Sequence, residues 1–386
     1  MHKEALSPTL KNQDFTDRFT QLHRQLWRTP EYGFDDVTVH VFSPPKGMYL
    51  ADHSFIKHDR QLHLHYVTGD LTTVEQWHAF RQLGDLAGAS AVSVESGNGH
   101  AVGSSIWDLS FVEHVFFPSQ GAFDRISRST GHVFCCGDRF GMLYMVRGEH
   151  GDKMSLAWSS ELNNWQQDDL NPVLSIPAWA NPKATFKDPH VMQHHGIYLI
   201  YAVTWNREGQ PAVCLFTTED WRTFQDQGVV FATCPQLRGT FGIESPQVVF
   251  RNGMWHLFYT QGPGLWHAVA PSPTAFLARG QDVSTARPMP GAYLMGPYHA
   301  TEVVHDGDDW WLTTDRKEYQ RRLNRLQRRP LYRGEYEDDQ PMEEGLYLAR
   351  LNWDGDQPIL SKPVRPTYHQ IAALNRKLPC ESEICL

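Results

Sequence analysis

The chain has 386 residues, enough for two or three average domains or for one large β domain. Its net charge of −9 at pH 7 argues against nucleic acid as the main partner, and no apolar stretch approaches the ~20 residues that span a bilayer. Aromatic residues make up 12% of the chain, and 24 Pro and 29 Gly are spread widely along it. This composition favours a turn-rich, all-β protein.

The first 44 residues are predicted to form a short helical extension (1–44). Residues 12–28 carry apolar side chains at helical spacing, namely Phe15, Phe19, Leu22 and Leu26. We expect this helix to pack on the outside of the main domain or to join two subunits in a homodimer.

The start of the chain, MHKEALSPTLKNQD, is polar and lacks the apolar core of a signal peptide. The spacing of the six cysteines suggests neither a zinc site nor a disulfide framework. Cys380 and Cys385 could pair near the C-terminus, but we expect a reduced, cytoplasmic protein.

Two sequence phrases alternate along the rest of the chain. The first, a strand, a short polar turn and an aromatic-rich strand, occurs at 54–67, 132–146, 190–203, 247–260 and 302–314. The second, an alternating strand that runs into a polar turn, occurs at 99–109, 155–165, 212–221, 265–276 and 346–353. Five copies of both phrases in a fixed order indicate an internal repeat.

The repeat predicts a five-bladed β-propeller over residues 45–365. The apolar residues that mark the first phrase are Phe55, Val133, Val191, Val248 and Val303, with gaps of 78, 58, 57 and 55 residues. Propeller blades of four strands use roughly 40–50 residues. The long first gap indicates an insertion of about twenty residues in blade one. A β-sandwich with accidental similarity is the alternative.

Two further segments fall outside the repeat. Residues 316–345 interrupt blade five with a basic run followed by an acidic one. This charge pattern is typical of a solvated helix and loop, and a flap over a pocket or a dimer contact is the alternative. The C-terminal tail, 366–386, is expected to be peripheral.

Three acidic residues precede the marker residues of their blades. Asp52 and Asp188 stand three residues before their markers, and Glu244 stands four before its own. Stacking blades around an axis carries matched positions to one mouth of the channel, so we expect the three carboxyl groups to converge. Blade two offers only Ser129 and Thr130 at these positions.

Converging carboxyl groups suit the cleavage of a glycosidic bond. One carboxyl must keep a proton for the leaving oxygen, and a second must stay ionised to activate water or attack the sugar. Neighbouring negative charge and burial raise a carboxyl pKa and preserve such a proton. We assign Glu244 as the acid because of its reach, Asp52 as base or nucleophile, and Asp188 as stabiliser.

These residues resemble a known group, the five-bladed propeller glycoside hydrolases of families 43, 62, 32 and 68 and their relatives. Residues 186–191, FKDPHV, are similar to the Arg-Asp-Pro-like motif of those families, and residues 244–246, ESP, to their Glu-x-Pro-like motif. Residues 51–55 resemble the Asp-Pro-Ser opening of family 43, and residues 157–165 a phrase common to these enzymes. The resemblance covers residues 45–365 and implies catalytic roles for Asp52, Asp188 and Glu244.

The chain also departs from these families. Lys187 replaces the usual Arg, which weakens a bidentate sugar contact, and His53 replaces the usual Pro. The N-terminal segment is similar to the dimerising extension of family 117, whereas the surroundings of Glu244 follow that family less closely. The superfamily is therefore indicated and no single family is.

The substrate-binding residues are expected beside the acids and among nearby aromatic side chains. A sugar ring stacks its apolar face on aromatic groups. The expected residues are His53, Trp179, Phe186, Lys187, Trp205, Tyr298 and His299. By resemblance to family 43, His299 could also ligate a structural calcium ion at the propeller axis. A structural histidine is the alternative, so no metal is assigned and no cofactor is required.

The leading interpretation is an exo-acting glycoside hydrolase that binds an oligosaccharide or small glycoside. The expected sugar is an arabinofuranosyl or fructofuranosyl unit, with a xyloside as a further option. Transfer to a sugar acceptor by the same acids is one alternative. A phosphorylase that resembles family 130 is another, although the basic run 321–329 is a poor phosphate pocket. A non-catalytic sugar-binding or scaffold propeller is the third.

Overall fold

The computed structural model describes nine stretches of the chain and three single residues. The stretches are 32–73, 97–115, 117–232, 243–261, 264–274, 292–296, 299–306, 309–316 and 344–367, and the single residues are 76, 79 and 276. The predicted helix at 12–28, the segment 317–343 and the tail after 367 lie outside the described residues.

The described residues form five sheets, and each sheet is one blade. The first described elements are β1 (Tyr32–Gly33), the short helix α1 (Phe34–Val37) and β2 (Thr38–Phe42). Blade one contains β3 (Ala51–His58), β4 (Gln61–Thr68), β5 (Gly97–Gly103) and β6 (Ser110–Val115). Blade two contains β7 (Ser127–Cys136), β8 (Arg139–Gly148), β9 (Gly151–Ser159), β10 (Gln166–Gln167) and β11 (Leu174–Ser175).

Blade three contains β12 (Lys187–His194), β13 (Ile197–Trp205), β14 (Pro211–Thr218) and β15 (Gln225–Ala232). Blade four contains β16 (Ile243–Arg251), β17 (Met254–Gln261), β18 (Gly264–Ala270) and β19 (Ala292–Gly296). Blade five contains β20 (His299–Asp306), β21 (Asp309–Arg316), β22 (Gly345–Asp354) and β23 (Gln357–Ser361).

The five innermost strands close a ring. Each of β3, β7, β12, β16 and β20 contacts the next, and β20 contacts β3. All five marker residues lie on these strands and are buried. The predicted five-bladed, all-β propeller is therefore confirmed.

The N-terminal segment contributes strands to two blades. β2 pairs with β22 of blade five in antiparallel register, with Thr38 opposite Ala349. β1 adds to β19 of blade four as a parallel strand. Residues 38–42 thus form an outer strand of blade five beside β22, and the propeller begins before residue 45.

Apolar clusters hold neighbouring blades together. Each of the five interfaces between blades contains one buried cluster. Between blades two and three, the rings of Phe134 and Trp221 stack with their centroids 4.2 Å apart. Burying each large apolar side chain contributes roughly 1.5–3 kcal/mol, so the interfaces supply much of the drive for closure.

Two expectations about the class of protein can be compared with the structure. No helix within the described stretches is long and apolar enough to cross a bilayer. Cys135 is disulfide-bonded, whereas Cys136 and Cys214 are free. The disulfide departs from the reduced state that the cysteine spacing suggested.

Candidate functional site

A β-bulge interrupts the start of every innermost strand. The register shifts occur at Ala51/His53, Ser129/Gly131, Lys187/His190, Glu244/Gln247 and His299/Thr301. At the bulges, Asp52, Asp188, Ser245 and Ala300 have φ angles of 20°, 54°, 48° and 43°. Such left-handed backbone costs of order 1–3 kcal/mol at a non-glycine residue and clusters at functional sites. The bulges re-aim the side chains at one mouth of the channel.

Proline follows two of the bulged residues. Pro189 comes after Asp188, and Pro246 comes after Ser245. Proline has no N–H to donate, so it fits where the ladder is already broken. The Asp-Pro and Ser-Pro pairs are therefore compatible with the bulges of these two strands, and the other three strands bulge at the same place without a proline.

The structure brings the three predicted acids together. Ser245 links two of them: its N–H donates to Asp188 Oδ2 at 3.0 Å, and its hydroxyl donates to Asp52 Oδ1 at 2.8 Å. Glu244 is the preceding residue on the same strand. Carboxyl groups from blades one, three and four thus share one mouth of the propeller.

Lys187 lies among these carboxyl groups. Its ammonium Nζ is 2.5 Å from Glu244 Oε1 and 3.3 Å from Asp188 Oδ2. The pairing is not sealed from solvent, since the side chains of Lys187 and Glu244 are 21% and 19% exposed. The side chain of Asp188 is only 3% exposed. Glu244 is therefore accessible from solvent, whereas Asp188 lies deeper.

The electrostatics of the site place a proton on Asp188 at mildly acidic pH. Burial raises the pKa of Asp188 to about 6; Lys187 opposes this rise, and the charges of Asp52 and Glu244 support it. Burial alone would lower the pKa of the Lys187 ammonium, but the three carboxylates outweigh burial and raise it. Lys187 is therefore a permanent cation in a group of three acids.

Below the carboxyl groups, five polar side chains surround the axis. Each stands one residue before its marker: Ser54, His132, His190, Gln247 and Glu302. We call this set the axial polar ring. Ser54, His132, His190 and Glu302 bond backbone groups of the next blade. Val133 N–H donates to Ser54 Oγ at 3.0 Å, and Val191 N–H donates to His132 Nδ1 at 3.3 Å.

The two histidines of the ring have defined tautomers. Because His132 Nδ1 accepts from Val191, its Nε2–H donates to His190 Nδ1 at 3.1 Å. His190 Nε2–H in turn donates to the carbonyl of Val248 at 3.0 Å. Burial lowers the pKa of both rings, that of His190 to about 4, so both are neutral near pH 7.

A small cavity of about 30 Å³ separates the carboxyl groups from the ring. Asp188 Oδ1 and Thr301 Oγ1 are buried there without a hydrogen-bond partner. The volume suits one or two water molecules, and these two atoms offer such a molecule polar contacts.

Two of the expected substrate-binding residues lie elsewhere. Phe186 is fully buried in the core between blades two and three, where its ring contacts Phe216 edge to face, so it cannot stack on a sugar. The indole N–H of Trp179 donates to Asp226 Oδ2 at 2.9 Å, which places it against β15, the outer strand of blade three. The expectation for Phe186 is wrong because the core between blades holds its ring, and that for Trp179 is wrong because its half-buried ring lies at the outer strand.

The other expected residues differ in what the structure shows. His53 is buried at the carboxyl mouth, and its Nε2 bonds Thr313 Oγ1 at 2.7 Å. Trp205 is half-buried at the end of β13. Tyr298 lies outside the described residues, and of His299 only the backbone, opposite Asp315, is described. Contact of Trp205, Tyr298 or His299 with a sugar stays a prediction.

The axial calcium ion also stays a prediction. Within the described residues, no three His, Cys, Asp or Glu side chains are grouped to hold a metal. The side chain of His299, on which that expectation depends, is not among those described.

Ser245 is the residue of this candidate site that sequence reasoning missed. Counting back from the markers gives its signal, because Ser245, and not Glu244, stands three before Val248, as Asp52 and Asp188 do before theirs. Glu244 instead matches Lys187, one residue earlier in its blade. The ion pair between them is therefore a contact between equivalent positions of neighbouring blades.

Comparison with known proteins gives a consistent result for the fold. No family profile matches the chain, and no curated protein matches it. Among solved structures, a thermostable family-43 glycoside hydrolase superposes with a TM-score of 0.56 at 14% identity, covering 85% of this chain and 98% of that one. Fructan 1-exohydrolase IIa from Cichorium intybus has a TM-score of 0.59 at 16% identity, with coverages of 86% and 61%.

An exo-1,5-α-L-arabinanase from a bovine ruminal metagenomic library has a TM-score of 0.54 at 13% identity. The match covers 83% of this chain and 99% of the arabinanase chain. The chain therefore has the five-bladed β-propeller fold that these glycoside hydrolases share.

Proposed function

We propose that this protein is a glycoside hydrolase that removes a terminal sugar unit from an oligosaccharide or small glycoside. The observation that carries the proposal is the meeting of Asp52, Asp188 and Glu244 at one mouth, joined by Ser245 and Lys187. A binding surface for neutral sugars has no need of three acids held together at the cost of backbone strain.

The preferred substrate is a furanoside, with an arabinofuranosyl or fructofuranosyl unit, and a xyloside is the next option. The similar structures include a fructan exohydrolase and an arabinanase, which supports this choice.

Asp52 is proposed as the base or nucleophile. The hydroxyl of Ser245 donates to Asp52 Oδ1, and such a bond orients a carboxyl group and favours its charged form. Asp52 then activates water or attacks the anomeric carbon. The separation of its carboxyl from the acid decides which: about 5–5.5 Å for retention and about 6.5–9.5 Å for inversion.

Glu244 is proposed as the proton donor, with Asp188 as the stabiliser. The exposure of Glu244 lets it reach the leaving oxygen, but Lys187 favours the charged form of Glu244 in the free protein. Substrate binding must therefore move Lys187 away from Oε1, and Asp188, whose pKa is about 6, is a nearby source of the proton. Direct donation by Asp188 is the competing assignment.

The leaving group separates these two assignments. A variant without its acid still cleaves aryl glycosides whose leaving groups need no proton, but it fails on alkyl and sugar leaving groups. Dinitrophenyl and methyl glycosides should therefore be compared for Glu244→Gln and Asp188→Asn. If Glu244 is the donor, only Glu244→Gln shows a strong dependence on the leaving group.

The function itself is tested with nitrophenyl furanosides and pyranosides plus sucrose. Asp52→Asn and Glu244→Gln should fold and lose most turnover. Matched controls are Asp169→Asn and Glu161→Gln, which change exposed acids away from the mouth. Following the anomer formed by NMR gives the stereochemistry. Cleavage of no substrate in the panel would favour a non-catalytic sugar-binding propeller instead.

Transfer and phosphorolysis remain the alternatives for the same site. Transfer would appear as oligosaccharide products when an acceptor sugar is added in excess. Phosphorolysis needs a cation free to hold phosphate, and Lys187, which lies at this mouth, is held by two carboxyl groups. If the rate depended on phosphate, phosphorolysis would replace hydrolysis as the preferred function.

A further inference from the structure

A second cavity, of about 250 Å³, lies on the other side of the axial polar ring. Its walls come from the innermost strands of all five blades and include the five marker residues. Lys57, His194 and Asp306, which line it too, stand at the ends of these strands, whereas the carboxyl groups of the proposed active site stand at the starts. The cavity is therefore the opposite mouth of the propeller channel.

Glu302 forms part of the wall of this cavity and is an unusual residue to find there. Its side chain is only 5% exposed, and its carboxyl accepts the N–H of Phe55. The second oxygen, Oε2, has no hydrogen-bond partner. The nearest ring nitrogen, His132 Nε2, is 3.9 Å from Oε1 and already donates its proton to His190.

A purely structural role accounts for one oxygen of this carboxyl group and leaves Oε2 unexplained. Accepting the N–H of the next blade needs one acceptor atom, and Ser54 and His132 do the same in their blades without an acid. Burying a carboxyl group with one oxygen unpartnered is costly. Burial also keeps this group protonated, because its pKa is raised well above the ordinary value. It therefore presents an O–H that has nothing to donate to.

The rest of the cavity is apolar in the middle and charge-balanced at the rim. The marker residues, Phe55 and four valines, all line the cavity and form its apolar band. At the rim, Lys57 Nζ and Asp306 Oδ1 are paired at 2.6 Å. The buried histidines of the ring are neutral. Wall and floor thus favour a neutral ligand over a charged one.

We infer that this opposite mouth binds a neutral hydroxylated molecule of about the size of one sugar ring. Its hydroxyls would accept from Glu302 and contact the amide of Gln247, which also lines the cavity, while its C–H face packs on the apolar band. The volume lies just below that of pockets for drug-sized ligands, which begin at about 300 Å³. The site is distinct from the carboxyl mouth and does not depend on catalysis there.

The test is direct binding of D-glucose, D-fructose, L-arabinose and 1,6-hexanediol to the full chain. Saturation-transfer NMR and calorimetry measure it at millimolar concentrations. We expect at least one monosaccharide to bind. Glu302→Leu, which removes the O–H, should weaken that binding at least tenfold, and Glu302→Gln, which keeps a donor, should stay within about threefold.

Two further variants test whether the sugar binds in this cavity. Val303→Phe fills the cavity with the ring that blade one already carries at the equivalent Phe55, and it should abolish binding. Ser245→Ala, at the other mouth, should leave this binding unchanged, which separates it from any sugar bound near the carboxyl groups. Thermal melts confirm that each variant is folded.

Three results would overturn the inference. They are no monosaccharide bound by the wild type, binding that survives both Glu302→Leu and Val303→Phe, and binding of hexanediol without any sugar. The readout is binding and not turnover. Failure of the proposed hydrolase activity therefore leaves this test unaffected, and failure of this test leaves the hydrolase proposal standing.

Discussion

Replacing Lys187 with methionine tests the electrostatics of the candidate site. The substitution keeps the side-chain stem and removes the ammonium that lies 2.5 Å from Glu244 and 3.3 Å from Asp188. At an effective dielectric of 20, attraction between unit charges at 3.3 Å is about 5 kcal/mol before desolvation is counted. Breaking fully buried pairs costs about 3–5 kcal/mol. Since Lys187 and Glu244 are partly exposed, we expect a loss of about 2–3 kcal/mol at pH 8.

The loss should depend on pH. Without the ammonium, the folded-state pKa of Asp188 rises further above its unfolded value. Stability is then lost progressively as pH rises from about 4 through the raised folded pKa, which is already about 6 for Asp188 with Lys187 present. At pH 5 Asp188 takes up a proton instead of staying as an uncompensated charge, so the loss should fall to about 1 kcal/mol.

Thermal unfolding measures this difference. The melting temperature of Lys187→Met should drop by about 5 °C at pH 8 and by about 2 °C at pH 5, relative to wild type. Lys183→Met, which removes an exposed lysine, is the matched control and should change little at either pH. An equal or larger loss at pH 5, or none at pH 8, would refute the argument that this cation compensates the acids.

Two other predictions concern the candidate site, and a third concerns a histidine pair in blade one. Asp52→Asn and Glu244→Gln should each lower kcat about 10²–10⁴-fold in steady-state assays, with melting temperatures near wild type. Ser245→Ala removes the bond to Asp52 and should cost about 1 kcal/mol of unfolding free energy and about tenfold in kcat/KM; an unchanged rate would mean that Asp52 needs no such support. The rings of His63 and His100 in blade one contact each other, and burial lowers the pKa of each to about 4. Their unfolded forms protonate first, so stability present above pH 6.5 should fall as pH drops towards 4, by roughly 2 kcal/mol per ring at pH 5. His100→Phe should flatten that fall in melts recorded from pH 4 to 7.

Much of the fold could be predicted because the residues that recur in the repeat face the core between blades. The markers recur at nearly constant spacing, and a ring of equivalent blades carries equivalent positions to the same mouth. The meeting of Asp52 and Asp188 follows from that symmetry, whereas Glu244 stands one residue earlier, at the position equivalent to Lys187.

What symmetry does not reveal is the direction of individual side chains. The bulges reverse the ordinary alternation along the strand, so Phe186 enters the core while Asp188, two residues on, faces the mouth. Lys187 was expected to contact sugar, but the bulge places its ammonium against two acids. β2 was missed because its partner strand, β22, lies at the far end of the sequence.

That distant pairing bears on how the molecule is made. Residues 38–42 leave the ribosome early, yet the strand they pair with is synthesised roughly three hundred residues later. Blades one to three can assemble as they emerge, whereas blade five must wait for both ends of the polypeptide. Such a late step carries the loop-closure cost of nearly the whole chain, so a polypeptide released before β22 would keep an unpaired strand and an open circle of blades.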